Sequence, residues 1–174
     1  MTQPTEESAI DTRPWCRDHR GQDYSFDEFL KLIESFHGYP APGVLIGAKM
    51  VDIAMNRMPT GVLFDAVCES SKCLPDAVQL LTPCTLGNGW LRVVPLGRYA
   101  LTLFDKRSGQ GIRVYVDPVR LEPYPETRYW FFGTTPKRKD KTDLLIHEIR
   151  QARDGLYGVQ PVRVKPEFLS KAPS

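Results

Sequence analysis

The sequence lacks any apolar run long enough to cross a bilayer, and its polar N-terminus carries no apolar leader. A cytoplasmic protein with no membrane role is therefore expected. It also lacks a strong charge of either sign: 23 Lys+Arg face 21 Asp+Glu, a net +2. No field of that size draws nucleic acid, and the short run Lys137-Arg138-Lys139 reads as a solvated loop, so nucleic acid is not an expected partner. No Walker loop, Rossmann glycine fingerprint, His-Glu-x-x-His helix or Gly-x-Ser-x-Gly elbow occurs. Nucleotide, dinucleotide, metalloprotease and serine-hydrolase readings thus lose their main support. Cysteine is scarce, with four in 174 residues and no C-x-x-C pair, so no strong zinc signature exists. In a cytoplasmic chain those four are thiols or ligands rather than structural disulfides.

What is present is the pattern of one globular domain, with 41% apolar and 25% charged residues. Residues 1–22 are polar, contain Pro4 and Pro14, and read as a lead-in with some order near Trp15 and Cys16. A helix is expected over 25–36, where Ser25 and Glu28 have capping-box spacing and Phe26, Phe29, Ile33 and Phe36 share a face. The Gly/Pro loop 37–43 follows, then a second helix over 43–57 in which Gly43 and Gly47 leave room for a neighbouring backbone. A buried strand is expected over 62–69 and a short helix over 75–81. Strands are expected over 91–95, 99–105 and 111–117, the last two joined as a hairpin through 108–111. A final helix covers 140–153. The fold expected is a single α+β domain over 23–158, an antiparallel or mixed sheet packed with helices, followed by a tail over 159–174.

Cys73 precedes the short helix, where unpaired N–H groups and the helix dipole favour a thiolate. Cys84 follows the same helix, and a folded-back loop would let both thiols approach one site. His37 opens the Gly/Pro loop at a helix end, where an imidazole can face a cleft. Cys16-x-x-His19 offers two further donors, and His147 reads as surface. Cys68, ending an apolar strand, reads as a core residue. Asp76 reads as a helix-start carboxylate, and Glu69 as a group able to orient a histidine or carry a proton.

Residues 36–50, opening Phe36-His37-Gly38-Tyr39-Pro40-Ala41-Pro42-Gly43, resemble the opening motif of the FmdE-like family, which takes its name from formylmethanofuran dehydrogenase. Glu69, Cys73, Asp76-Ala77-Val78-Gln79 and Thr82-Pro83-Cys84-Thr85-Leu86-Gly87-Asn88 resemble its central signature, and residues 96–100 and 111–114 its following strands. The resemblance implies an α+β core, a homodimer, and Cys and His side chains around a metal-binding cleft. It points to a protein auxiliary to a redox-enzyme partner or its cofactor assembly. On that reading His37, Cys73 and Cys84 hold zinc, iron or an iron-containing cofactor, with Tyr39, Gln79 and Asn88 beside it. Tyr39 stands where the family commonly has a second histidine and Ala41 where it often has cysteine; Pro83 replaces a glycine and Asn88 a lysine. The C-terminal zinc module of longer relatives is absent. Two other functions fit the same residues. One is a thiol enzyme with Cys73 as nucleophile, His37 as base and Cys84 as resolving thiol. The other is a binding module with a decayed metal site, its pocket lined by Tyr39, Ala41, Tyr124 and the aromatics of 129–132.

Overall fold

A computed structural model describes residues 11–133 and 138–169. Residues 1–10, Lys137 and residues 170–174, which figure in the sequence reading, lie outside the described set. A short hairpin comes first, β1 (Cys16–Arg17) against β2 (Asp23–Tyr24). Helices α1 (Phe26–His37) and α2 (Pro42–Met55) follow, then β3 (Phe64–Cys68), α3 (Leu74–Leu81) and β4 (Leu91–Val93). The rest comprises β5 (Ala100–Asp105), β6 (Gln110–Val116), α4 (Pro125–Phe132), α5 (Thr142–Ala152) and β7 (Tyr157–Arg163). The main sheet has the order β4-β3-β5-β6-β7; β4 runs parallel to β3 and the other pairs are antiparallel. The chain is therefore a single-domain α+β protein with a mixed sheet. Among the described residues no helix is long and apolar enough to cross a membrane.

The local signals explain most elements. In α1, Ser25 Oγ accepts from the Glu28 N–H and the Glu28 carboxylate accepts from the Ser25 N–H, a full capping box. Phe26, Phe29 and Ile33 are buried as the spacing requires, whereas Phe36 in the last turn stays half exposed. Helix α2 is buried along nearly its whole length, from Gly43 to Val51 and again at Ile53 and Ala54. It is the helix around which the domain packs, touching α1, α3, α5 and the sheet. Each fully buried Leu, Ile or Val in it contributes about 1.5–3 kcal/mol. The small residues on α2 do admit a neighbour: a Cβ added at Gly47 would lie 2.9 Å from the Ala77 Cβ of α3.

Three parts differ from the sequence reading. The lead-in is structural from residue 15: Trp15 and Cys16 are buried, and β1 and β2 pair in a two-stranded sheet. The tail expected from 159 begins as strand β7, which pairs with β6 from Val116↔Tyr157 to Gln110↔Arg163. Its Gly158 and Pro161 mask it in the sequence. An edge strand tolerates a proline because one of its sides needs no ladder hydrogen bonds. The aromatic stretch 129–132 belongs to α4, a helix with no amphipathic pattern. Its N-terminus is capped from another element: the buried Glu148 carboxylate of α5 accepts from the backbone N–H of Glu126 and Thr127 and from the Thr127 hydroxyl.

Candidate functional site

Three chain segments converge where α1 ends, α2 starts and α3 starts. Gly38 closes α1 in the left-handed conformation (φ 96°), which lets the chain turn sharply after His37. The His37 side chain, 17% exposed, reaches α3: its Nδ1 lies 2.6 Å from Asp76 Oδ2. An ionised carboxylate only accepts, so Nδ1 carries the proton and Nε2 is the free face of the ring. That face is turned to Cys73, with Sγ 4.0 Å from Nε2. Asp76 follows Cys73 by one helical turn, which places carboxylate and thiol on either side of the same imidazole.

Cys73 sits at the N-cap of α3 with φ 60° and ψ −51°, and the Leu74 N–H donates to the Lys72 carbonyl at 2.6 Å across it. This is a γ-turn of the rare kind, strained for any residue with a Cβ. Such strain costs on the order of 1–3 kcal/mol and persists only where the surrounding structure enforces it. Cys73→Gly is accordingly expected to unfold at higher denaturant than Cys73→Ala, by about 1 kcal/mol, because both lose the thiol and only glycine relieves the backbone. Equal midpoints in a denaturant titration would refute the strain.

The start of α2 closes the other side. Its N-cap, Ala41, provides no side-chain cap for the first-turn N–H groups. Gly43 lies directly against Cys73: a Cβ there would be 2.7 Å from the Cys73 Cβ, 2.9 Å from Sγ and 3.0 Å from the Tyr99 hydroxyl. Two helix starts thus border one thiol, an arrangement that favours negative charge. Tyr39, half exposed, tilts over His37 at 5.0 Å between ring centroids.

Other residues singled out in the sequence lie apart from this pair. Cys84 follows the far end of α3, its thiol donating to the Phe64 carbonyl at 3.4 Å. Gln79 Oε1 accepts from the Leu86 N–H, and Asn88 bonds to Thr85, Trp90 and the Pro83 carbonyl, so both shape the loop after α3. Glu69 orients no histidine; both its oxygens accept from the Arg113 guanidinium, at 2.6 and 2.9 Å. His19 is tied to the Leu81 carbonyl, and His147 is exposed on α5. Burial pushes the Cys68 thiol up to about 12 and Cys84 up to about 11, and raises Cys16 as well. The set His37, Cys73 and Cys84 is therefore not assembled. Among the described residues no group of three or more His, Cys, Asp or Glu side chains is placed to hold a metal. Two donors fall short of the three or four protein ligands that a zinc site takes.

Asp76 as the partner of His37, Gly43 as the floor under the thiol and Tyr99 beside it were not legible as site residues. Only the one-turn spacing from Cys73 to Asp76 hinted at the first.

Fold and site together define a class: an α+β domain presenting a thiol, an imidazole and a carboxylate in sequence at converging helix ends. The chain belongs to the FmdE family, described as "Molybdenum formylmethanofuran dehydrogenase operon", whose pattern matches residues 36–164. It is similar to a crystal structure of an FmdE-like protein of tungsten formylmethanofuran dehydrogenase type from Syntrophus aciditrophicus. That match has a TM-score of 0.80 and 47% identity and covers 91% of this chain and 82% of the other. A probable S-adenosyl-L-methionine-binding protein of Archaeoglobus fulgidus is 38% identical over 105 residues, 55% of this chain and 28% of that relative. The chain thus spans less than a third of that longer protein.

Proposed function

We propose that this FmdE-family protein is thiol-dependent, with Cys73 as nucleophile, His37 as its base and Asp76 as the group that fixes the imidazole. The observation that carries this reading is the run of contacts from Asp76 Oδ2 through the His37 ring to Cys73 Sγ. The Cys73 proton passes to His37 Nε2, the imidazolium is held by the Asp76 carboxylate, and the thiolate attacks an electrophilic centre. A separation of 4.0 Å is loose for this transfer and tightens when a substrate closes the site. Cys84 lies at the other end of α3, so the version in which it resolves a disulfide loses its support. Covalent carriage of an electrophilic group in the service of a redox enzyme fits both the site and the family.

Alkylation of the folded protein near pH 7 should modify Cys73 and spare Cys16, Cys68 and Cys84, whose thiols burial holds protonated. Asp76→Asn and His37→Ala should each slow it. Peptide mapping reads the outcome, and a Cys73 no faster than the other three would sink the proposal.

A second reading is favoured by the same imidazole. A metal-ligating histidine commonly donates its other N–H to a carboxylate, as His37 does to Asp76. Cys73 and His37 would then be two donors to a metal or metallocofactor completed by ligands from elsewhere. The alkylation separates the two readings, because a metal at the pair shields Cys73 until a chelator is added.

A further inference from the structure

We infer that Tyr99 is a positioning residue that holds the start of α2 against Cys73 and thereby sets the reactivity of the thiol. This rests on the thiol reading of the site. Tyr99 lies immediately before β5, and its hydroxyl donates to the Gly43 carbonyl at 2.5 Å. Behind it, the ring meets Trp130 of α4 edge-on, with centroids 6.2 Å apart and planes at 78°. The hydroxyl and the Cys73 sulfur both lie within about 3 Å of the point where a Gly43 side chain would begin. Three elements therefore meet at a residue without a side chain, and the tyrosine is the one polar tether among them.

The tether matters because Gly43 belongs to the first turn of α2, whose N-cap Ala41 provides no side-chain bond. A helix start acts on a charge only over its first turn, so a small retreat of α2 removes most of its effect on the sulfur. The sheet supplies Tyr99, α4 supports it from behind, and Glu148 of α5 caps α4. The groups facing Cys73 are then His37 from α1, Asp76 from α3, the uncharged start of α2, and the Tyr99 hydroxyl.

The test is the pH profile of Cys73 alkylation in the wild type and in Tyr99→Phe, with thermal unfolding of both. Phenylalanine keeps the ring against Trp130 and removes only the tether. The wild-type half-point is expected below the ordinary thiol value of about 8.5, and Tyr99→Phe should raise it and slow alkylation at pH 7 about fivefold to tenfold. A purely structural tyrosine would lower the unfolding temperature and leave the half-point where it was. That result, with a low wild-type half-point, overturns this inference alone. A wild-type half-point in the ordinary range overturns the thiol reading and the inference with it. Should Tyr99→Phe fail to fold, Trp130→Leu loosens the same seat while keeping the hydroxyl. It should raise the half-point by a smaller step, and an unchanged profile there is equally fatal.

Discussion

Gly43→Ala is expected to slow the alkylation of Cys73 by about 10²-fold while the domain remains folded. The added methyl would stand 2.7 Å from the Cys73 Cβ and 2.9 Å from its sulfur. Neither is the free end of a long side chain. The Cys73 Cβ is fixed by the γ-turn, and α2 cannot back away because it is buried from Gly43 to Val51. Either the thiol leaves His37 or the start of α2 leaves the thiol, and a displacement of about 1 Å is enough for a loss of that size. Overpacking costs about 1–3 kcal/mol, offset in part by the better helix propensity of alanine. Gly47→Ala is the control: its methyl meets the Ala77 Cβ at 2.9 Å one turn further on. It should cost similar stability with a far smaller change in rate. Equal rates for wild type and Gly43→Ala would show that the close approach has no part in the reactivity.

Trp15→Ala is expected to destabilise the domain by about 3–5 kcal/mol, a large share of the roughly 5–15 kcal/mol typical of a native protein. Trp15 is fully buried and meets Phe26 edge-on at 4.8 Å. Its N–H donates to the Tyr24 carbonyl at 2.7 Å, which starts the β1–β2 hairpin. The buried ammonium of Lys49 donates to the Trp15 carbonyl and lies 4.6 Å from the centre of the ring. Removing the indole thus empties a cavity and exposes a charged group that α2 holds inside. The indole N–H itself is buried and has no hydrogen-bond partner, so Trp15→Phe, which deletes that orphan donor, should be much milder. Urea unfolding checks both variants; an alanine cost below about 1 kcal/mol would mean that residues 15–24 are outside the core.

These two residues show where the sequence could be read and where it could not. Ser25 and Glu28 announce α1 because a capping box is a contact between neighbours in the chain. The hairpin through 108–111 is announced for the same reason. Trp15 is announced by nothing, since its burial depends on Phe26, Lys49 and Tyr24 arriving around it. Strand β7 carries Gly158 and Pro161, which break the alternation, and it forms because β6 has an edge to fill. Helix α4 has no apolar face of its own and depends on a carboxylate from α5.

The candidate site divides in the same way. Residue type and position beside helix ends were enough to pick out His37 and Cys73, and the motif order was enough to mark the family resemblance, which the match over residues 36–164 confirms. Sequence alone determined the elements whose signals lie within one or two turns of chain, and the chemical types available to the site. The tertiary structure alone decided which of those types meet. It set Asp76, rather than Glu69, on the imidazole, because α3 rises beside the end of α1 while Glu69 is taken by Arg113. It sent Cys84 to the far end of α3 and brought Gly43 and Tyr99 to the thiol. Such contacts join residues tens of positions apart, and their geometry follows from how helices pack on the sheet, which no local pattern encodes.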